Sequence, residues 1–339
     1  MVESAASGMS DWLREVTGAS QVRAGERVQS LWSGYGEIRR YALTGAFVQS
    51  VIVKDVRPPG GLVGGARAAH PRGWQGQRSH ARKLRSYDVE LAWYRTWAPP
   101  SEEHMRLADA YAVERDELGW RFALEDLDAA GFSERRSAPD AWELHACLKW
   151  LAEFHATFMG DAEEASAELW PTGTYWHLGT RPDELEAMPH GRLRDAAVAI
   201  DARLNACQHQ TLVHGDAKLA NFCFQPRSSA AETHVAMVDF QYVGGGCGMK
   251  DVAYFLSCLS EDTLRDDGDA LLFLYFDALR TALARLKPEV DGLAVEAEWR
   301  ALYPYAWADF ERFLAGWAPG HQKLTGYSAT LTEQALRGL

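Results

Sequence analysis

The stretch LVHGDAKLANFCF, residues 212–224, sets His214, Asp216, Lys218 and Asn221 between apolar runs that read as strands. A second strand-like run, HVAMVDF, ends on Asp239. Two carboxylates at the ends of neighbouring short strands, with an amide oxygen shortly after the first, make a compact set of hard oxygen donors. Magnesium takes one or two carboxylates, amide oxygens, waters and substrate phosphates in preference to sulfur or a closed protein cage. The pattern therefore suits phosphoryl transfer from a nucleotide.

That reaction also needs a group to orient or deprotonate the acceptor hydroxyl, a cation on the nucleotide phosphates and a cover that excludes water. Asp216 is the candidate base, Lys218 can stabilise charge on the transferred group, and Asn221 with Asp239 can hold Mg2+. Lys54, ending VIVK, can hold the α- and β-phosphates, with Glu90 on the following helix orienting it. Gly34 and Gly36 of SGYGE let a backbone come close over phosphate. Each residue has a plainer reading: an Asp and an Asn capping a turn, a lysine snorkelling to solvent, a solvated loop lysine. The ordered combination favours chemistry. His214 is expected to brace the loop by hydrogen bonds rather than act as acid or base, and His145 and His155 to have packing or surface roles.

The elements that must position these groups are legible in outline. RVQSLW, EIRRYAL and FVQSVIVKDV, separated by SGYG and TG, read as an antiparallel meander from Arg27 to Val56. Residues 57–87 read as a long loop rich in glycine and arginine that opens into a helix through SYDVELAWYRTWA, stopped by Pro99 and Pro100. WRFALEDL, residues 120–127, is a further strand. Beyond it the pattern turns helical, beginning with DAWELHACLKWLAEFHATF, where Trp142, Leu144, Leu148, Leu151 and Phe158 recur at helical spacing. The predicted division is an extension over 1–24, a strand-rich lobe over 25–126 and a mainly helical lobe over 127–339. Trp307, Phe310, Phe313 and Trp317 read as helix packing, with a wall of an acceptor pocket as the alternative.

Composition narrows the partners. The chain has 339 residues and a formal net charge of -12, which argues against a nucleic-acid binder. No window approaches a membrane span, and the N-terminal segment lacks a basic stretch followed by an apolar one, so a cytoplasmic protein without membrane insertion is expected. The 5 cysteines contain no C-x-x-C pair and read as free thiols.

Taken together, LVHGDAKLAN, MVDFQ, RKLRSYDVELAWY, LEDLDAAGF and GMKDVAYFL resemble the aminoglycoside phosphotransferase and choline kinase branch of the protein-kinase-like fold, most nearly its ecdysteroid-kinase-like group and bacterial relatives. The resemblance implies a bilobal α+β fold with a small antiparallel-sheet N-lobe, and an ATP- and Mg2+-dependent phosphotransferase acting on a small-molecule alcohol. It makes LEDLDAAGF the hinge, where adenine meets the backbone around Glu125 and Leu127, and makes Asp251 the brace of the catalytic loop. Gln241 stands where a glycine usually follows Asp-Phe, and GYG is shorter than a full glycine-rich kinase loop. A silent nucleotide-binding or interaction module and, less in keeping with the HGD loop, a protein kinase are the alternatives.

Overall fold

The computed structural model describes residues 2–31, 34–59, 76–102, 104–226 and 233–339. It has a small antiparallel sheet and a mainly helical remainder. The chain divides into two compact units, one running to Glu102 and resuming over Leu107–Glu134, the other formed by Arg135–Leu339 with the short segment before Leu107.

In the first unit, strands β1 (Gln21–Ser30), β2 (Gly36–Thr44), β3 (Ser50–Val56), β5 (Ala110–Arg115) and β6 (Trp120–Glu125) form an antiparallel sheet in the order β1-β2-β3-β6-β5. A short strand, β4, covers Arg106–Leu107. The period of two along β3 sorts its side chains between two cores. Val51 and Val53 enter one core with Trp12 and Leu13, which lie on helix α1 (Val2–Thr17). The segment treated as an extension thus supplies part of the first unit's core. Val56 enters the other core with Tyr87 and Leu91 of helix α2 (Gly76–Ala92). Lys54 shares the face of Val56, so the strand period aims it at α2.

Helix α2 starts about ten residues before the predicted SYDV. It ends in a π-helical turn over Trp93–Trp97, and Pro99 and Pro100 follow. Arg78 and Arg82 lie on this helix, whereas Arg67, Arg72 and most of PGGLVGGAR fall outside the described residues.

The second unit carries helices α3 (Ala141–Thr157), α4 (Ala162–Ala165), α5 (Pro182–Ala187), α6 (Arg192–Asp195), α7 (Ala197–Asn205), α8 (Met249–Leu256), α9 (Glu261–Leu286), α10 (Gly292–Trp317) and α11 (Gly326–Arg337). Asp140 starts α3 with a reciprocal capping box to Glu143. Leu144, Leu148, Leu151 and Phe158 are buried as the spacing predicts, but Trp142, in the first turn, is 66% exposed. Helix α3 packs on α9, and α10 packs on α5, α7, α8 and α11. Strand β7 (Thr211–Val213) pairs with β10 (Gly244–Gly246), and β8 (Phe222–Phe224) with β9 (Val235–Met237). The strand-like runs before Asp216 and Asp239 are therefore not paired neighbours. No helix among the described residues is long and apolar enough to cross a membrane, and all five cysteines are free.

Candidate active site

The loop after β7 is held from below by one carboxylate. Asp251, on α8 and fully buried, accepts the backbone N–H of His214 at 2.5 Å on Oδ2 and that of Gly215 at 2.9 Å on Oδ1. His155 of α3 lies 3.2 Å from Asp251 Oδ2 through Nε2 and 2.7 Å from the Tyr275 hydroxyl through Nδ1. Gly215 has φ +78°, and a Cβ there would lie 2.1 Å from the Tyr242 carbonyl oxygen and 2.7 Å from the Thr174 amide nitrogen. The glycine of HGD is a steric requirement, not a matter of flexibility.

His214 is the brace that its position implied. Its Nδ1 accepts the backbone N–H of Asp216 at 3.2 Å, which assigns the proton to Nε2, and Nε2 donates to the Val238 carbonyl at 3.1 Å. Burial lowers its pKa, against the pull of Asp251, Asp216 and Asp239. A neutral ring thus links the loop to the segment that carries Asp239. A second link runs from the Val238 N–H to the Asn221 carbonyl at 3.1 Å.

Asp216 is buried and gathers both of its predicted neighbours. Lys218 Nζ donates to Asp216 Oδ2 at 2.7 Å, and Asn221 Nδ2 donates to the Asp216 carbonyl at 2.9 Å and to Oδ2 at 3.2 Å. Burial raises the Asp216 pKa; Lys218 opposes this and the nearby Asp239 charge adds to it. Burial works against the charge on Lys218, but Asp216 and Asp239 outweigh it, so its pKa is raised. The carboxylate is thus a stronger base than an exposed aspartate, with a cation already beside it.

Asp239 has φ +73°, a left-handed conformation that an aspartate tolerates but a bulkier residue resists. Gln241 donates from Nε2 to Asp239 Oδ1 at 2.8 Å, a side-chain support for the carboxylate. Among the described residues there is no group of three or more His, Cys, Asp or Glu able to hold a metal by itself. Magnesium on a nucleotide does not require one, because phosphates and water complete its shell. Asn221 fits such a set: its NH2 is turned onto Asp216, which directs Oδ1 the other way.

In the first unit, Lys54 Nζ meets both carboxylate oxygens of Glu90, at 2.8 and 2.7 Å. Lys54 is 4% and Glu90 1% exposed, and the Tyr87 and Phe122 rings flank the ammonium at 5.8 and 5.9 Å. The partners lie 36 residues apart, across the glycine-rich segment, yet the strand period and the helix register bring them together.

Gly36 has φ +130°, and a Cβ there would sit 2.0 Å from the Asp55 carbonyl oxygen, whereas Gly34, at φ +73°, faces open space. Tyr35 between them is buried and hydrogen-bonds His80 of α2. Glu125 ends β6, and its N–H donates to the Asp109 carbonyl at 2.8 Å; the Leu127 carbonyl accepts from Phe132 N–H at 2.8 Å. Asp126 between them accepts Arg40 Nε at 2.7 Å and Ser50 Oγ at 2.7 Å, which ties the end of β6 to β2 and β3.

Several residues around the loop carry no signal in the sequence. His155 is one histidine in an apolar helix. Tyr175 hydrogen-bonds the Gly215 carbonyl through its N–H at 3.1 Å and packs on Tyr254 at 5.5 Å between ring centroids. Burial raises both phenol pKa values and the Asp216 charge raises them further. Trp176, Phe310, Phe313 and Leu314 complete that cluster with Tyr254. The aromatic positions of α10 are packed, Trp317 partly.

Among solved structures, the chain is similar to a microcompartment-associated aminopropanol kinase, at 14% identity and TM-score 0.46 over 96% of this chain and 93% of the other. A macrolide 2'-phosphotransferase, MphH, from Brachybacterium faecium gives 14% and 0.45 over 98% and 97%. The choline kinase LicA from Streptococcus pneumoniae gives 13% and 0.45 over 97% and 96%. A search of the curated proteins finds no match. Residues 184–288, which span the loop from His214 to Asn221, Asp239 and Asp251, match the ecdysteroid kinase-like family model, the group that the motifs resemble.

Proposed function

We propose that the protein transfers the terminal phosphoryl group of ATP to a hydroxyl of a small molecule. The observation that carries this reading is Asp216: a buried carboxylate of raised pKa, held by Lys218 and Asn221 in a loop whose main chain is fixed by Asp251. In this reading Asp216 orients the acceptor hydroxyl and takes its proton as the new oxygen–phosphorus bond forms. Lys218 offsets charge on the transferred group. Lys54, fixed by Glu90, holds the α- and β-phosphates, and the turn at Gly34 and Gly36 covers them. The adenine meets the backbone at Glu125 and Leu127. Asn221 and Asp239 would hold Mg2+, which when bound neutralises phosphate charge.

Tyr175 and Tyr254 give the acceptor side an aromatic wall. A cytoplasmic setting is part of this reading, and the −12 net charge disfavours a nucleic-acid partner.

The test is ADP release by the purified chain with Mg2+ and ATP over amino sugars, choline, sterols and simple alcohols, with Asp216→Asn as control. Acceptor-dependent release that the substitution abolishes, while nucleotide binding persists, is the expected result. Nucleotide binding with no release on any acceptor would favour a silent module.

A further inference from the structure

Behind the loop brace lies a second set of polar groups that the proposed chemistry does not use. Lys250 precedes Asp251 on α8, is fully buried, and its Nζ has no hydrogen-bond partner among the described residues. Asp309 and Arg312 of α10 are also fully buried. Arg312 donates from Nε and Nη2 to Asp309 Oδ1, at 3.0 and 2.7 Å, and from Nη2 to the Trp176 carbonyl at 2.8 Å. Among the described residues, that leaves Asp309 Oδ2 and Arg312 Nη1 without a hydrogen-bond partner, and the same holds for Trp176 Nε1, His177 Nδ1 and Asp201 Oδ1. His177 and Asp201 each feel the charges of Lys250, Asp309 and Arg312, so the groups form one cluster between α7, α8, α10 and the segment at 176–177.

A buried polar group left unmade costs about 1–3 kcal/mol, and a set of this size would consume most of a domain's net stability of about 5–15 kcal/mol. Something satisfies them. An anion suits Lys250, Arg312 and Trp176 but is repelled by Asp309 Oδ2. A cation is repelled by Lys250 and Arg312. An apolar occupant satisfies none of them. Water both donates and accepts, and it fits a site whose open valences are mixed.

We propose that Lys250, Asp309, Arg312 and His177 line an internal water-binding chamber whose ordered waters bridge α8 to α10. The bridge secures the first turn of α8, from which Asp251 reaches the loop.

The test is a crystal structure of the full chain at a resolution that shows ordered water, with a parallel bromide soak to label anions by anomalous scattering. The expected result is at least two waters, each within hydrogen-bond reach of two of Lys250 Nζ, Asp309 Oδ2, Arg312 Nη1 and His177 Nδ1, with no bromide peak. A direct Lys250–Asp309 contact with no density between them, or bromide in the chamber, overturns the proposal. In solution, Lys250→Gln keeps hydrogen-bonding groups without the charge and should retain most of the melting temperature, whereas Lys250→Met should lower it by several degrees. Equal losses from the two would mean that the site reads charge alone, which also overturns the proposal.

Discussion

The carboxylate of Asp251 takes the backbone N–H of Gly215 at 2.9 Å, so a fully buried acid on α8 sets the main chain that presents Asp216. Asp251→Asn keeps the shape but removes charge-assisted acceptance at His214 and Gly215. The expected cost is roughly 3–5 kcal/mol, the range for breaking a buried charged network, with turnover falling and nucleotide affinity nearly unchanged. Urea denaturation and nucleotide titration on the same preparation check both halves.

Asp216→Asn should stabilise the fold while abolishing transfer, a trade usual at functional sites. The folded carboxyl titrates above its ordinary 3.8, chiefly through burial. Holding it ionised therefore costs stability above the folded pKa, and that cost is relieved as pH falls through the folded value towards 3.8. The substituted protein should be more stable by on the order of 1 kcal/mol at neutral pH, with the advantage shrinking in acid. Denaturation at pH 7.5 and pH 4 measures it.

Lys54→Met and Glu90→Gln each strand a buried partner and should cost roughly 3–5 kcal/mol. The double substitution should cost less than the sum, because no charge is then left unpaired. A double-mutant cycle by thermal or chemical unfolding reads the coupling. Both single variants should also weaken nucleotide binding.

Gly215→Ala is expected to be worse than its size suggests. The added carbon would sit 2.1 Å from the Tyr242 oxygen at φ +78°. A loss of roughly 3 kcal/mol is expected from strain and the shift forced on the loop. Gly34→Ala, in open space at φ +73°, should cost only about 1 kcal/mol. Comparing the two melting temperatures separates steric crowding from backbone strain.

Acid should unfold the protein early. His177 is lowered to about 4 from 6.5, mainly by burial, with Lys250 and Arg312 opposing its charge, and His214 is lowered as well. The unfolded chain then binds more protons, so stability is full above pH 6.5 and falls from there towards pH 4. His177→Gln should flatten that fall. Denaturation midpoints at pH 7.5, 6 and 5 follow it.

Much of the candidate site was legible because its chemistry dictates residue types over short spacings. Asp216, Lys218 and Asn221 lie in one loop, and the period of β3 with the register of α2 foretells the meeting of Lys54 and Glu90. The fold was less legible where tertiary contacts override pattern. Strand β1 is almost wholly exposed and has no apolar alternation, so its first residues carry no strand signal. Trp142 has helical spacing but falls on the open first turn. The short strands before the two aspartates read as neighbours, yet each pairs with a different partner. His155, Lys250 and Arg312 look like ordinary polar residues of amphipathic helices, and only packing shows them buried.

The most direct test of the central claim is 31P NMR of the full chain with Mg2+, ATP and an acceptor that stimulates ADP release. A new phosphate monoester resonance should grow as the ATP signals fall, and should be missing with Asp216→Asn. Monoester formation at an undiminished rate in that variant, or ATP signals untouched by the wild-type chain with every acceptor, would contradict it.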